Sequence, residues 1–162
     1  MVRWGAVAAV LVFAADQLSK YWILHVLQLP AVGQVNVLPF FSLTMVWNQG
    51  VTFGLLHQNT EYGPWLLAAV SLGVVVALAI WLRRAETRLM ATALGAVGGG
   101  ALGNVLDRVR YGAVVDFLHL HAFGLSWYVF NVADAAIVCG VGALMLDSVL
   151  TRSRLRAAGV GQ

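Results

Sequence analysis

Two aspartates, Asp116 and Asp134, stand in stretches that otherwise give a charge no company. Asp116 lies between Val114, Val115 and Phe117, Leu118, and Asp134 follows Phe130-Asn131-Val132-Ala133. A carboxylate in apolar surroundings is expensive. Two carboxylates that meet in a low-dielectric site cannot both ionise easily, so one keeps its proton. Such a pair can activate a water with its ionised member and protonate a carbonyl oxygen or a leaving amine with the other. That is hydrolytic chemistry with no cofactor.

Other polar residues are spaced to join them. Asn104, Asp107 and Arg108 fall at i, i+3 and i+4 and share one helix face. Asn131 and Asp134 are i and i+3, so Asn131 can face the same site. Asp16 and Lys20 are four apart with the acid first, the order that suits an ion pair on a helix. That pair reads either as a structural clamp or as part of a site, with Lys20 facing lipid headgroups. Asp107 and Arg108 read more plainly as an ion pair, or Arg108 as a cation favoured by the helix end.

Other chemistries fit less well. Asp116, His119 and His121 spell D-x-x-H-x-H, but on a strand the two histidines face one way and the aspartate the other. No H-E-x-x-H motif supports a metal, so none is expected. No serine sits in G-x-S-x-G, and the lone Cys139 lies in an apolar run without a nearby base. Phosphate loops and dinucleotide fingerprints are absent. The basic residues are scattered rather than gathered into a patch, which argues against nucleic acid as a partner.

The elements that must position these groups are membrane helices. Of 162 residues, 60% are hydrophobic and 10% charged, with mean hydropathy +0.82. Soluble domains carry about 25% charged residues. The composition implies one polytopic membrane domain, mainly α. Spans are expected at about 4–27, 64–82, 89–106 and 127–146. The first begins like a secretory signal peptide, but its apolar pattern resumes after Lys20. Gly95, Gly99 and Gly103 repeat every four residues in the third, a stripe that permits close helix packing. Trp127 and Tyr128 read as interface anchors of the fourth. Segment 28–62, with Pro30, Gly33, Pro39, Gly50 and Gly54, reads as short strands and turns, as does Val114 to His121 within segment 107–126. Residues 151–162 read as a basic, mobile tail.

Seven of the ten basic residues, Arg3, Arg83, Arg84, Arg88, Arg152, Arg154 and Arg156, fall on one side of this arrangement. The positive-inside rule then puts both termini in the cytoplasm, with 28–62 and 107–126 outside. Asp16 and Lys20, Asn104 to Arg108, and Asn131 and Asp134 all reach that outer side. Such convergence is the strongest physical signal in the chain. A proton- or ion-coupled transporter would also place polar residues toward the inner leaflet, where these spans are apolar. A non-catalytic scaffold would explain the hydrophobicity but not the convergence.

Five stretches carry a family resemblance. Asp16-Gln17-Leu18-Ser19-Lys20, Asn48 to Gly54, Gly103 to Arg108, Gly112 to Phe117 and Phe130 to Asp134 resemble, in order, the successive motifs of lipoprotein signal peptidase, or signal peptidase II. The resemblance implies an aspartic endopeptidase of the bacterial inner membrane, with four transmembrane helices and a small extracytoplasmic β-sheet platform. It implies that the enzyme cuts diacylglyceryl-modified prolipoproteins just before the lipidated cysteine, among membrane lipids, and that cyclic peptides such as globomycin inhibit it. It makes Asp116 and Asp134 the catalytic dyad. Asp16, Lys20, Asn48, Gly50, Asn104, Asp107, Arg108, Asn131 and Ala133 become substrate-binding or supporting positions. Thr52 stands where the family usually has Ala, and Ala135 where Ser is common.

The orientation is directly testable. An alkaline phosphatase fusion at residue 86 should be inactive and one within 107–126 active; an active fusion at residue 86 would invert the assigned topology.

Overall fold

The computed structural model describes residues 1–50 and 62–157. Thr52 and Gly54 of the second motif lie outside the described residues.

Helix α1 (Val2–Tyr21) continues through a π-helical turn, Trp22–Val26, making one 25-residue apolar stretch. Gln28, at φ 51°, turns the chain into the short α2 (Leu29–Val32), with Pro30 in its first turn. Strands β1 (Gln34–Leu38) and β2 (Phe41–Asn48) follow as an antiparallel hairpin. Helix α3 (Gly63–Leu82) opens with Pro64, where the missing N–H costs nothing. Helix α4 (Arg88–Tyr111) starts at a Thr87 cap, whose Oγ1 accepts from Met90 N at 2.9 Å. It stops at Gly112, whose φ of 71° suits a residue without Cβ. Strands β3 (Val114–Ala122) and β4 (Leu125–Ser126) and helix α5 (Val132–Ala157) follow.

Among the described residues, four helices are long and apolar enough to cross a membrane. Helix α4 is the hub, packed on α1, α3 and α5. Of its most apolar 18 residues 56% are buried, against 17%, 6% and 11% for the other three in chain order. The glycine stripe explains how. A Cβ on Gly95 would run into the Gly5 carbonyl, one on Gly99 into that of Ala9, and one on Gly103 into the Asp16 carboxylate. Gly100 faces the other way, where a Cβ would come within 2.7 Å of the Ala133 carbonyl of α5. Helix α4 is thus smooth on two sides, one for each neighbour. A Cβ on Gly98 would meet nothing within 4 Å among the described residues.

The four strands form one antiparallel sheet, in order β1-β2-β3-β4. A bulge in β2 between Leu43 and Val46 shifts its register on β3, so that Val46 faces Asp116 and Asn48 faces Val114. Ile23, Leu29, Val115 and Phe117 form a buried cluster that fastens the sheet to the end of α1.

The expected strands all form, but three helix bounds differ. Helix α4 runs past 106 to Tyr111, so Asp107 and Arg108 sit in its last turns and not in a connection. The fourth helix starts at Val132, not Trp127. Residues 127–130 are held instead by β3: Trp127 N donates to Leu120 O at 2.8 Å and Phe130 N to Leu118 O at 3.0 Å. Residues Thr151–Ala157, expected as a mobile tail, continue α5. A side-chain bond from Thr87 Oγ1 to Asp147 Oδ1 at 2.6 Å also ties the start of α4 to α5.

The stripe predicts a sharp contrast. Gly99→Ala forces backbones apart and should cost about 1–3 kcal/mol, whereas Gly98→Ala should cost nothing measurable. Thermal unfolding of the two variants in detergent decides; equal losses would mean that the stripe does not set the helix spacing.

Candidate active site

Helix α4 brings Gly103, Asn104, Asp107 and Arg108 to the sheet end of the bundle, where α1 presents Asp16, Gln17 and Lys20. Lys20 is 2% exposed and Asp16 is fully buried. The Lys20 ammonium lies 2.8 Å from Asp16 Oδ2 and 2.6 Å from Asp107 Oδ2, and it donates to Asn104 Oδ1 at 3.0 Å. One cation therefore serves two carboxylates. The surplus negative charge is met by neutral donors. Ala133 N, in the first turn of α5, donates to Asp16 Oδ1 at 2.9 Å. Val115 N donates to Asp107 Oδ2 at 3.2 Å, and Gln17 Nε2 donates to Asp107 Oδ1 at 3.1 Å and to Asp16 Oδ2 at 3.2 Å. The expected Asp16–Lys20 pair forms. Lys20 does not face lipid headgroups, and Asp107 pairs with Lys20 rather than Arg108.

This cluster orients the next layer. An ammonium only donates, so Asn104 must turn its oxygen toward Lys20. Its Nδ2 then points the other way and donates to Asp134 Oδ1 at 2.8 Å. Asn131 caps α5 reciprocally. Its Oδ1 accepts from Asp134 N at 2.9 Å, while Asp134 Oδ2 accepts from Asn131 N at 3.3 Å. The amide nitrogen left over, Asn131 Nδ2, donates to Asp116 Oδ1 at 2.6 Å and to Asn104 Oδ1 at 3.1 Å. One fully buried asparagine therefore links both aspartates singled out in the sequence.

Asp116 comes from β3 and is 1% exposed. Its second oxygen accepts from Asn48 Nδ2 at 2.9 Å. Asn48 is fixed in turn by Gly50, whose N–H donates to Asn48 Oδ1 at 2.9 Å and whose φ of 71° favours glycine. Burial pushes the Asp116 carboxyl up to about 6, the Asn48 and Asn131 bonds oppose this, and the nearby Asp134 charge adds to it. Asp116 also lines a cleft of about 600 Å³ between the end of β2 and residues 126–129. Arg108 Nη1 donates to the Asn104 carbonyl at 3.3 Å, and its buried Nε has no partner among the described residues. The charges of Asp134, Asp107 and Asp116 all act on it.

His119 and His121 stand apart from this cluster. His119 Nδ1 is 3.1 Å from Thr44 Oγ1 and its Nε2 is 2.7 Å from Ser126 Oγ. His121 Nε2 is 2.7 Å from Ser42 Oγ. Gln17 was not singled out from sequence, though it is a polar residue in the same apolar helix as Asp16 and bridges both carboxylates of the Lys20 cluster.

If Lys20 is the counter-ion that the geometry describes, Lys20→Met leaves two buried carboxylates without a cation. The folded state should then lose about 3–5 kcal/mol, read by unfolding in mild detergent. Unchanged stability would mean that the neutral donors suffice.

Comparison with known proteins gives concordant matches. A family model described as signal peptidase (SPase) II matches residues 8–150. The chain is 50% identical over 158 residues to a lipoprotein signal peptidase of Methylorubrum extorquens (strain PA1), covering 98% of this chain and 92% of that one. It is 47% identical over 160 residues to one from Nitrobacter hamburgensis, covering 96% and 98%. A solved structure described as a bacterial membrane enzyme superposes with TM-score 0.76 at 28% identity, covering 93% of this chain and 90% of that one.

Proposed function

This chain belongs to the signal peptidase II family, and from that premise we propose that Asp116 and Asp134 are the catalytic dyad of a membrane aspartic endopeptidase that removes signal peptides from prolipoproteins. The observation that carries the assignment is Asn131, which donates to Asp116 through its side chain and to Asp134 through its backbone.

In this reading the two carboxyls share one proton. The ionised member takes a proton from a water, which attacks the carbonyl carbon just before the lipidated cysteine. The protonated member hydrogen-bonds the carbonyl oxygen as charge develops there. Collapse of the tetrahedral intermediate breaks the C–N bond, and the cysteine nitrogen leaves with a proton from the dyad. Asn104 and Asn131 hold the carboxylates in place; Asp16, Lys20, Asp107 and Ala133 support that frame. Asn48 and Gly50 shape the wall beside Asp116. The Nε–H of Arg108, without a partner among the described residues, suits a substrate carbonyl or a lipid phosphate.

The enzyme would then be a single domain of the bacterial inner membrane, and the charge pattern supports both termini being cytoplasmic and the sheet extracytoplasmic. A substrate anchored by diacylglycerol would meet the site at the outer headgroups. Cyclic peptides such as globomycin would compete for the same place.

Asp116→Asn and Asp134→Asn keep volume and most hydrogen bonds but cannot share the proton. Each should cut turnover by at least about 10²–10⁴-fold, in a gel-shift assay on lipid-modified prolipoprotein, and the double variant should be little worse. A folded single variant that keeps a substantial part of its turnover would remove that residue from the dyad. The pH dependence has a definite sign. As pH rises through about 6, Asp116 loses its proton and the dyad loses its acid, so kcat/KM should fall. Asn48→Ala removes a donor that favours the charged form, so this limb should move to higher pH; a limb that stays in place would detach it from Asp116.

A further inference from the structure

Among the described residues the cleft beside Asp116 has two walls, neither of them from a membrane-spanning helix. One wall is the end of β2 and its turn, 46–50. The other is the segment 126–129, which carries Trp127 and Tyr128. That second wall is irregular in conformation yet fastened at both ends. On one side Ser126 pairs with His121 in the sheet and bonds His119 at 2.7 Å. Trp127 N donates to Leu120 O at 2.8 Å. On the other side Phe130 exchanges backbone bonds with Leu118 at 3.0 and 2.8 Å. His119 also reaches Thr44 at 3.1 Å, in the strand that leads into the first wall, so one imidazole ties the second wall to β2. Between the fastened ends Trp127 is 70% and Tyr128 84% exposed. Large aromatic side chains held out from a pinned backbone make rigid contact surface at little entropic cost.

The position of the cleft selects its occupant. A signal peptide is an apolar segment, and before cleavage it lies in the bilayer among the spans. The chain that follows the cleaved bond leaves the membrane on the side of the sheet. We propose that the cleft receives the polypeptide segment just after the lipidated cysteine, with Trp127 and Tyr128 packing on its backbone and side chains and His119 tying the second wall to β2. This rests on the assignment of Asp116 to the dyad: the cleft opens at Asp116, and a peptide bond held there must send one of its two ends along it. Aromatic residues in a membrane protein also serve as interfacial anchors, and the experiment separates the two roles.

The test uses the full-length enzyme in detergent micelles with two synthetic substrates. Both carry the same signal peptide and diacylglyceryl cysteine; one ends at that cysteine as an amide, and the other continues for several residues. The wild-type KM should be about five- to tenfold lower for the longer substrate, the size expected when one or two aromatic contacts are gained. In Trp127→Ala and Tyr128→Ala that ratio should collapse toward one, and Trp127→Phe should restore most of it. Phe123→Ala, an exposed aromatic that lies outside the cleft, should leave the ratio as in wild type. Variants that raise KM equally for both substrates would make Trp127 and Tyr128 membrane anchors and overturn the proposal. So would a wild-type ratio near one, with both substrates cleaved, while the dyad assignment would stand. If the wild type cleaved neither substrate, the assignment of the activity itself would fail, and this inference with it.

Discussion

One ammonium group organises the site. Lys20 is buried, and a cation taken out of water has a large desolvation cost that only close, well-placed partners offset. Asp16, Asp107 and Asn104 supply them from two helices. The consequences run outward by donor–acceptor logic. Lys20 fixes which way Asn104 faces, Asn104 then offers its nitrogen to Asp134, and Asn131 completes the connection to Asp116. Neither Asp116 nor Asp134 touches Lys20, yet their surroundings depend on it. A stabilising ion pair elsewhere in the bundle would not do this, because it would not set an amide.

The sheet contributes what helices cannot. A helix returns to the same face every three or four residues, so it can aim one side chain at a point but cannot easily wrap it. The strand pair β2 and β3 brings Asn48 and Asp116 together across a ladder, and the bulge in β2 sets the register at which they meet. The buried contacts of Val115 and Phe117 with Ile23 and Leu29 then hold this ladder against the helical frame. Asp116 therefore reaches the site on a rigid strand and Asp134 on a capped helix.

Much of this was legible in the sequence, for identifiable reasons. The glycine stripe, the Asp16–Lys20 spacing and the alternating strands are local patterns, and local patterns report local geometry. What failed was information carried between distant segments. Nothing near Asp107 reveals that its partner is Lys20 rather than the adjacent Arg108; that choice is made by the packing of α1 on α4. Trp127 to Phe130 is as apolar as a helix start, and hydropathy alone extends the span there. The backbone bonds that hold those residues on β3 belong to a strand formed earlier in the chain. Helix α4 outran its expected end because Gly112 is the true stop signal, and Asp107 and Arg108 are compatible with its last turns.

The reciprocal cap at Asn131 has a consequence for biogenesis. The first turn of α5 is closed by the Asp134 carboxylate, and Asp16 of α1 accepts from the N–H of Ala133 in that turn. The cap also reaches α4 through Asn104 and β3 through Asp116. These segments are synthesised at different times, and α5 follows α1, α4 and β3. While the chain is still being inserted, its carboxylates belong to separate, unjoined pieces. Until α5 docks, Asn131 and Asp134 cannot join Asn104 and Asp116, so the polar network exists only in the assembled bundle.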